Sequence, residues 1–270
     1  MIIRRIIHKM GINKSYKKRV GNSVFKVPSY NKLGFANFSD FEPWMQEVLL
    51  KIGNENSKFL DIGANVGQTL MKWKSAYPNA EYLGIEPNVQ CAAYIDYLIK
   101  LNKIDNASVL PVAISESTSL LQLYKNETDP SDVTATIVPD FRKEHIVKGE
   151  KVISLDYSVL RSYNPEIIKI DVEGAESLIV KSIFNCDNDS KPMIICEILP
   201  VYTEENLERL NSQNTIVNTL RKNNYHIFRI DTKNIKLKPL DNIEVHGDLN
   251  KCDYLFLPEE ISDSITRKFD

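Results

Sequence analysis

The sequence predicts a doubly wound α/β fold on a mostly parallel sheet. Three observations carry that expectation. From residue 58 onward, short apolar runs alternate with helical patterns, as parallel strands joined by crossover helices do. Lys58–Gly67 reads K-F-L-D-I-G-A-N-V-G, an apolar run closed by glycines, which marks a buried strand turning sharply into a helix. Glu166–Val172, E-I-I-K-I-D-V, is a second central strand whose end carries D-V-E-G-A-E. Ligands of such sheets bind beyond the carboxyl ends of the strands, near the point where strand order reverses.

Composition narrows the class. A chain of 270 residues with 43% hydrophobic and 26% charged residues suits one large domain with a sizeable core. A net charge of -2 argues against broad nucleic-acid binding. Cys91, Cys186, Cys196 and Cys252 form no metal-ligand spacing, and three of them sit in apolar surroundings, which reads as buried free thiols in a reducing compartment. No apolar run approaches the roughly 18 residues of a membrane span. No signal-peptide pattern opens the chain, so the cytoplasm is the expected compartment.

Residues 1–21 carry Arg4, Arg5, Lys9, Lys14, Lys17, Lys18 and Arg19 without an acid, and Ile2, Ile3, Ile6, Ile7 and Met10 interleave at helical spacing. That predicts a short amphipathic helix. It would either touch an anionic membrane face or an acidic partner, or pack as an N-terminal cap. Val24–Val27 reads as a small strand of the cap. Asp40–Ile52 reads as a helix with Pro43 in its first turn and Trp44, Met45, Val48, Leu49 and Ile52 on one face. Residues 1–57 are therefore expected to cap a domain of residues 58–270.

Within that domain the pattern predicts a helix over Gln68–Ala76, a strand over Tyr82–Ile85 and a helix from Asn88 to Leu101. Ala107–Ser115 reads as a third strand interrupted by Pro111. Ser119–Lys125 and Val152–Leu155 look like further strands. The polar stretch 126–150 between them, with Pro130, Pro139 and Gly149, suggests an inserted lid. Ala175, Leu178, Ile179, Ser182 and Ile183 mark a helix, Met193–Leu199 a fifth strand, and 204–222 contains another helix. Tyr225–Ile230 and Cys252–Leu257 read as closing strands, paired as a hairpin across the segment between them.

The glycine turn offers D-x-G-x-x-x-G, not the G-x-G-x-x-G of a dinucleotide site. Glycine there lets backbone approach a ligand where a Cβ would stand. The next strand ends at Glu86-Pro87, where a carboxylate can accept both hydroxyls of a ribose. Strand-end glycines followed by a strand-end acid resemble the S-adenosylmethionine (SAM) site of class I methyltransferases. Other readings are an NAD-linked or nucleotide-sugar oxidoreductase, which the missing third glycine disfavours, and a non-catalytic SAM- or glycan-binding module.

Asp171, Glu173, Glu176 and Glu197 gather at two strand ends. A carboxylate in an apolar strand needs a partner, a hydrogen bond or a metal. Asp171 and Glu173 are the candidate catalytic residues. One of them would take a hydroxyl proton as general base, or Asp171, Glu173 and Glu197 would hold Mg²⁺ to polarise a diol. Alternatively, Asp171 binds the amino group of SAM. His145, in the lid, is a second candidate base, while His226 and His246 read as bystanders. Tyr124, Phe141, Tyr157 and Tyr202 are aromatic candidates for stacking on a sugar ring.

The ordered set D-I-G-A-N-V-G, G-I-E-P-N, L-P-V-A-I-S, S-L-D, I-K-I-D-V-E-G-A-E and I-I-C-E resembles the FkbM-type family of SAM-dependent methyltransferases. The likeness runs from Phe59 to Glu197, and I-K-I-D-V-E-G-A-E is its most specific block. It implies a Rossmann-like class I fold and O-methylation, commonly of sugar or polyketide hydroxyls, on a small-molecule or glycan acceptor. By the same resemblance Asp61, Gly63, Ala64, Asn65 and Gly67 shape the SAM pocket. Glu86 would bind the ribose, Pro87 and Asn88 would lie beside the adenine, and Ala113 and Ile114 would flank it. Asp171 and Glu173 would face the methyl-transfer site. Glu197 matches a strand-end glutamate of the family, with no role attached.

Overall fold

The computed structural model describes residues 14–29, 33–126, 132, 135–139, 150–186 and 191–270. The strands are β1 Lys14–Val20, β2 Ser23–Ser29, β3 Lys58–Ile62, β4 Glu81–Ile85, β5 Ala107–Leu110, β6 Ala113–Ser115, β7 Ser119–Leu123 and β8 Glu150–Asp156. They continue with β9 Ile167–Ile170, β10 Met193–Glu197, β11 Tyr225–Asp231, β12 Lys236–Leu240 and β13 Asp253–Pro258. The α-helices are α1 Pro43–Ile52, α2 Gln68–Ala76, α3 Val89–Asn102, α4 Glu176–Asn185, α5 Leu207–Lys222 and α6 Glu259–Thr266.

An eight-stranded sheet in the order β12-β11-β13-β10-β9-β3-β4-β5 forms the centre. β3, β4, β5, β9 and β10 run parallel, and β13 enters antiparallel beside β10. The chain moves outward from β3 to β5 and then returns to β9 on the other side of β3. The carboxyl ends of β3 and β9 are therefore the switch point, where a doubly wound sheet opens a crevice.

Strand alternation divides the core. Phe59, Ile167 and Ile195 face one layer with Trp44, Trp73 and Tyr82. Leu60, Ile62, Ile168, Ile170 and Ile194 face the other, against Ile179, Ile183 and Ile216. Phe25, Val27, Trp44 and Leu49 share the first layer with the central strands. The N-terminal segment and the sheet thus bury one continuous apolar surface.

Several expectations change here. Lys14–Val20 is a strand, not part of a helix, and pairs antiparallel with Ser23–Ser29. Its half-buried residues, Tyr16, Lys18 and Val20, recur every second position, and Gly21-Asn22 makes a two-residue turn with Gly21 at φ +51. The helical spacing came from residues 2–10, which lie outside the described residues, as do His145, Phe141 and most of the lid. The third strand is two. β5 stays in the main sheet, and after Pro111 the chain pairs β6 with β8 in a separate three-stranded sheet, because proline cannot donate to a ladder. Among the described residues, β12, an edge strand that carries Pro239, and the short closing helix α6 went unread.

Candidate active site

The crevice at the switch point is a cleft with about 1000 Å³ of empty space, its open mouth included. It is lined by Gly63, Asn65, Glu86, Pro87, Ala113, Ile114, Asp171, Glu173 and Glu197, which the sequence singled out. Phe41, Gln68, Leu123 and Ile137 complete walls the motifs do not announce.

Gly63 stands at φ +90, and a Cβ there would lie 1.8 Å from the Asp171 carbonyl oxygen. Only glycine lets the ends of β3 and β9 meet. The Gly63 and Ala64 amides both donate to the Ile85 carbonyl at 2.9 and 3.1 Å, and Asp171 N–H donates to the Ile62 carbonyl at 3.0 Å. Asn65 follows at φ +45. Its buried Oδ1 has no hydrogen-bond partner among the described residues.

Glu86, 6% exposed, follows the last residue of β4. One carboxylate oxygen accepts from the Asn65 amide at 2.7 Å and the other from the Asn88 amide at 2.8 Å. Burial pushes its pKa up to about 7, against the pull of those two amides. The acid thus both ties the glycine loop to the next strand and borders the cleft.

Four of the expected cofactor residues do not line the cleft. Asn88 is 1% exposed and caps α3 by accepting from the Gln90 amide at 3.1 Å. Ala64 is buried, and Gly67, at φ +77, is the N-cap of α2 packed against Leu98. Asp61 lies fully buried beneath the cleft. It accepts from the Tyr82 hydroxyl at 2.6 Å and faces the Lys169 ammonium at 3.9 Å. The alternation that puts Leu60 and Ile62 on one face turns Asp61 to the other, so it supports the loop from below.

Lys169 is the residue the sequence reading passed over. It is the lone charge in the apolar run Ile167–Ile170, it pairs in register with Asp61, and its Nζ donates to Asp171 Oδ2 at 2.8 Å. A single lysine among isoleucines, two residues before an acid, was the signal. Burial pulls its pKa down, but Asp171, Asp61 and Glu42 outweigh burial and hold it above the usual lysine value. Burial raises the pKa of Asp61, against the attraction of Lys169.

Glu173 stands at φ +54, with its carbonyl accepting from Thr136 Oγ1 at 2.7 Å. Burial, then repulsion from Asp171 and Asp253, pushes the Glu197 carboxyl up to about 9. At neutral pH it therefore holds its proton. Among the described residues no group of three or more His, Cys, Asp or Glu side chains is placed to hold a metal ion. The arrangement of Asp171, Glu173 and Glu197 as Mg²⁺ ligands finds no support. His226 and His246 lie away from the cleft, beside Ser262 at 3.1 Å and Tyr254 at 3.5 Å respectively. Among the described residues no helix is long and apolar enough to cross a membrane.

A parallel sheet reversing between β3 and β9, an antiparallel strand inserted beside β10 and a glycine loop facing a strand-end acid together define a Rossmann-like class I methyltransferase fold. The chain belongs to the FkbM methyltransferase family: the methyltransferase FkbM domain matches residues 61–227, more than half of its length. It is also similar to ribosomal RNA small subunit methyltransferase G of Helicobacter pylori, 27% identical over 97 residues, covering 35% of this chain and 54% of that one. Methyltransferase sdnD of Sordaria araneosa is 26% identical over 159 residues, covering 47% and 61% respectively. The chain therefore spans little more than half the length of these curated relatives. The solved FkbM methyltransferase of Methylobacillus flagellatus aligns with a TM-score of 0.47 and 16% identity, over 76% of this chain and 44% of the other.

Proposed function

We propose that this protein is a SAM-dependent O-methyltransferase acting on a hydroxyl of a glycan or glycosylated metabolite. The observation that carries the reading is Glu86. This buried acid at the strand end next to the glycine loop borders a cleft roomy enough for a nucleoside with an amino-acid arm. The residues fit that ligand. A carboxylate accepts two vicinal hydroxyls, and the orphaned Asn65 Oδ1 accepts from an amino group.

When bound, SAM supplies a methyl group on a positively charged sulfur. The chain's own residues then do the rest. Asp171, held from behind by Lys169, faces the cleft and takes the proton that the acceptor hydroxyl releases as its oxygen gains the methyl group. The balance is a methyl ether, S-adenosylhomocysteine and a proton on Asp171. Glu173 orders the loop beside it through its carbonyl contact with Thr136.

Calorimetric titration with S-adenosylhomocysteine, with NAD in parallel and Glu86→Ala as the variant, tests this. Binding of the first ligand alone, weakened at least about tenfold in the variant, supports it, since a lost charge-assisted hydrogen bond has that scale. NAD binding alone sinks it.

A further inference from the structure

A second cavity opens on the other side of the loop that follows β9. Glu173 and Ala175 line the first cleft, whereas Gly174 and Glu176 line the second, and Ile137 and Val138 divide in the same way. The two spaces share one thin wall. The second holds about 1180 Å³ of empty space, mouth included, and its floor is α5.

Gln213, on α5, is 2% exposed and lines this cavity. Neither its Oε1 nor its Nε2 has a hydrogen-bond partner among the described residues. A buried amide left unpaired costs free energy on both its donor and acceptor sides, and folded chains keep such groups where something else satisfies them. Ser212 and the buried Glu176 stand beside it. At the mouth, the Tyr202 ring is 51% exposed, with the Arg209 guanidinium 5.6 Å from its centre. Arg209 donates to the Pro200 carbonyl at 2.9 Å, and Glu208 adds an opposing charge to the lining. The lining carries two carboxyls, Glu176 and Glu208, against the single guanidinium of Arg209. Phosphates and carboxylates gain little there. Neutral groups that both donate and accept fit Gln213 on both of its atoms.

We infer that this cavity binds the hydroxyl-rich ring of a carbohydrate, with Gln213 reading a pair of hydroxyls and Tyr202 covering the ring's apolar face. That this ring is one unit of a larger acceptor whose reacting hydroxyl lies in the first cleft rests on the methyltransferase reading; the carbohydrate site itself rests on the cavity.

The test uses the full chain and ligand-observed saturation-transfer NMR. The probes are the methyl glycosides of glucose, galactose, mannose and rhamnose at about 10 mM, suited to the weak affinity of single rings. Each is run with and without S-adenosylhomocysteine. At least one glycoside should show transfer, reduced about tenfold in Gln213→Met and in Tyr202→Ala, on the scale of lost hydrogen bonds and ring contact. Gln213→Met keeps the side-chain length, so its melting temperature should hold or rise. The affinity of both variants for S-adenosylhomocysteine should stay within about twofold, because neither residue lines the first cleft. Absence of transfer to all four glycosides overturns the inference, as does transfer that survives both substitutions. If glycosides bind through Gln213 while S-adenosylhomocysteine does not bind, the carbohydrate site stands and the methyltransferase reading falls.

Discussion

Lys169 Nζ lies 2.8 Å from Asp171 Oδ2, with the lysine side chain 6% exposed and the aspartate 29%. The same ammonium reaches the buried Asp61 at 3.9 Å. One cation from the middle strand thus supports both the loop after β3 and the acid after β9, from beneath the cleft. The pair explains why a charge is tolerated inside an isoleucine strand, and it ties fold stability to the candidate chemistry.

Replacing Lys169 by Met strands two carboxylates. Removing one member of a buried ion pair costs about 3–5 kcal/mol. Urea denaturation at neutral pH should show a loss of that order. A loss below about 1 kcal/mol would mean that solvent reaches Asp61 and Asp171 more freely than their burial implies.

Asp171→Asn separates binding from proton transfer. With Asp171 as the base, methyl transfer to an accepted glycoside should fall by at least about 100-fold. The affinity for S-adenosylhomocysteine, read by calorimetry, should change no more than about threefold, since the shape is kept. Affinity lost in step with turnover would move Asp171 to the amino-group site of the cofactor.

Glu86 gives binding a pH dependence. Its pKa, raised from 4.5 to about 7 chiefly by burial, means the ionised form prevails only above that range. Ribose hydroxyls donate to a carboxylate better than to a carboxylic acid. Affinity for S-adenosylhomocysteine should therefore weaken as pH falls from 8 to 6, by about tenfold per unit at most. In Glu86→Gln the profile should be flat. A steep profile in that variant would assign the titration to another group.

Stability should carry the opposite slope. Glu86 and Glu176 both have pKa values raised to about 7 by burial, and Glu197 is raised to about 9. A carboxyl whose folded pKa exceeds its unfolded value holds its proton longer in the native state. Its stabilisation is complete below the unfolded pKa near 4.5 and is lost as pH rises through 7. Denaturation midpoints should thus decline between pH 5 and 8, and Glu197→Gln should flatten the portion above 7. A midpoint that rises across the same interval would refute the assigned directions.

Gly63→Ala should disrupt folding. The new Cβ would lie 1.8 Å from the Asp171 carbonyl, at a φ of +90 that a side chain rarely adopts. About 3 kcal/mol or more should be lost, as for other steric failures at special backbone positions. At Gly247 the nearest atom to an added Cβ is Tyr202 at 3.4 Å, so Gly247→Ala is the control and should cost under about 1 kcal/mol. Equal melting temperatures for the two variants would contradict the close approach of β3 and β9.

Much of the parallel sheet was legible because its strands are buried on both faces and read as unbroken apolar runs. Lys58–Ile62, Gln68–Ala76 and Met193–Glu197 fall where the pattern put them, to within a residue or two. Legibility failed where long-range pairing decided. Lys14–Val20 has a basic composition that suits a helix surface, and only its ladder with Ser23–Ser29 makes it a strand. Ala107–Ser115 reads as one run, yet its halves find partners in two different sheets.

By itself, the sequence determined the fold class, the glycine turn, the strand-end acids and the family, since each is a local pattern of residue type and spacing. Tertiary structure alone decided where those acids sit and what they touch. It placed Asp61 under the cleft and Glu86 at its edge, brought Lys169 between Asp61 and Asp171, and left Gln213 unpartnered over a second cavity. The reason is physical. The consequence of a charged or polar group depends on its burial and its partners, and those partners are supplied by strands far apart in the chain.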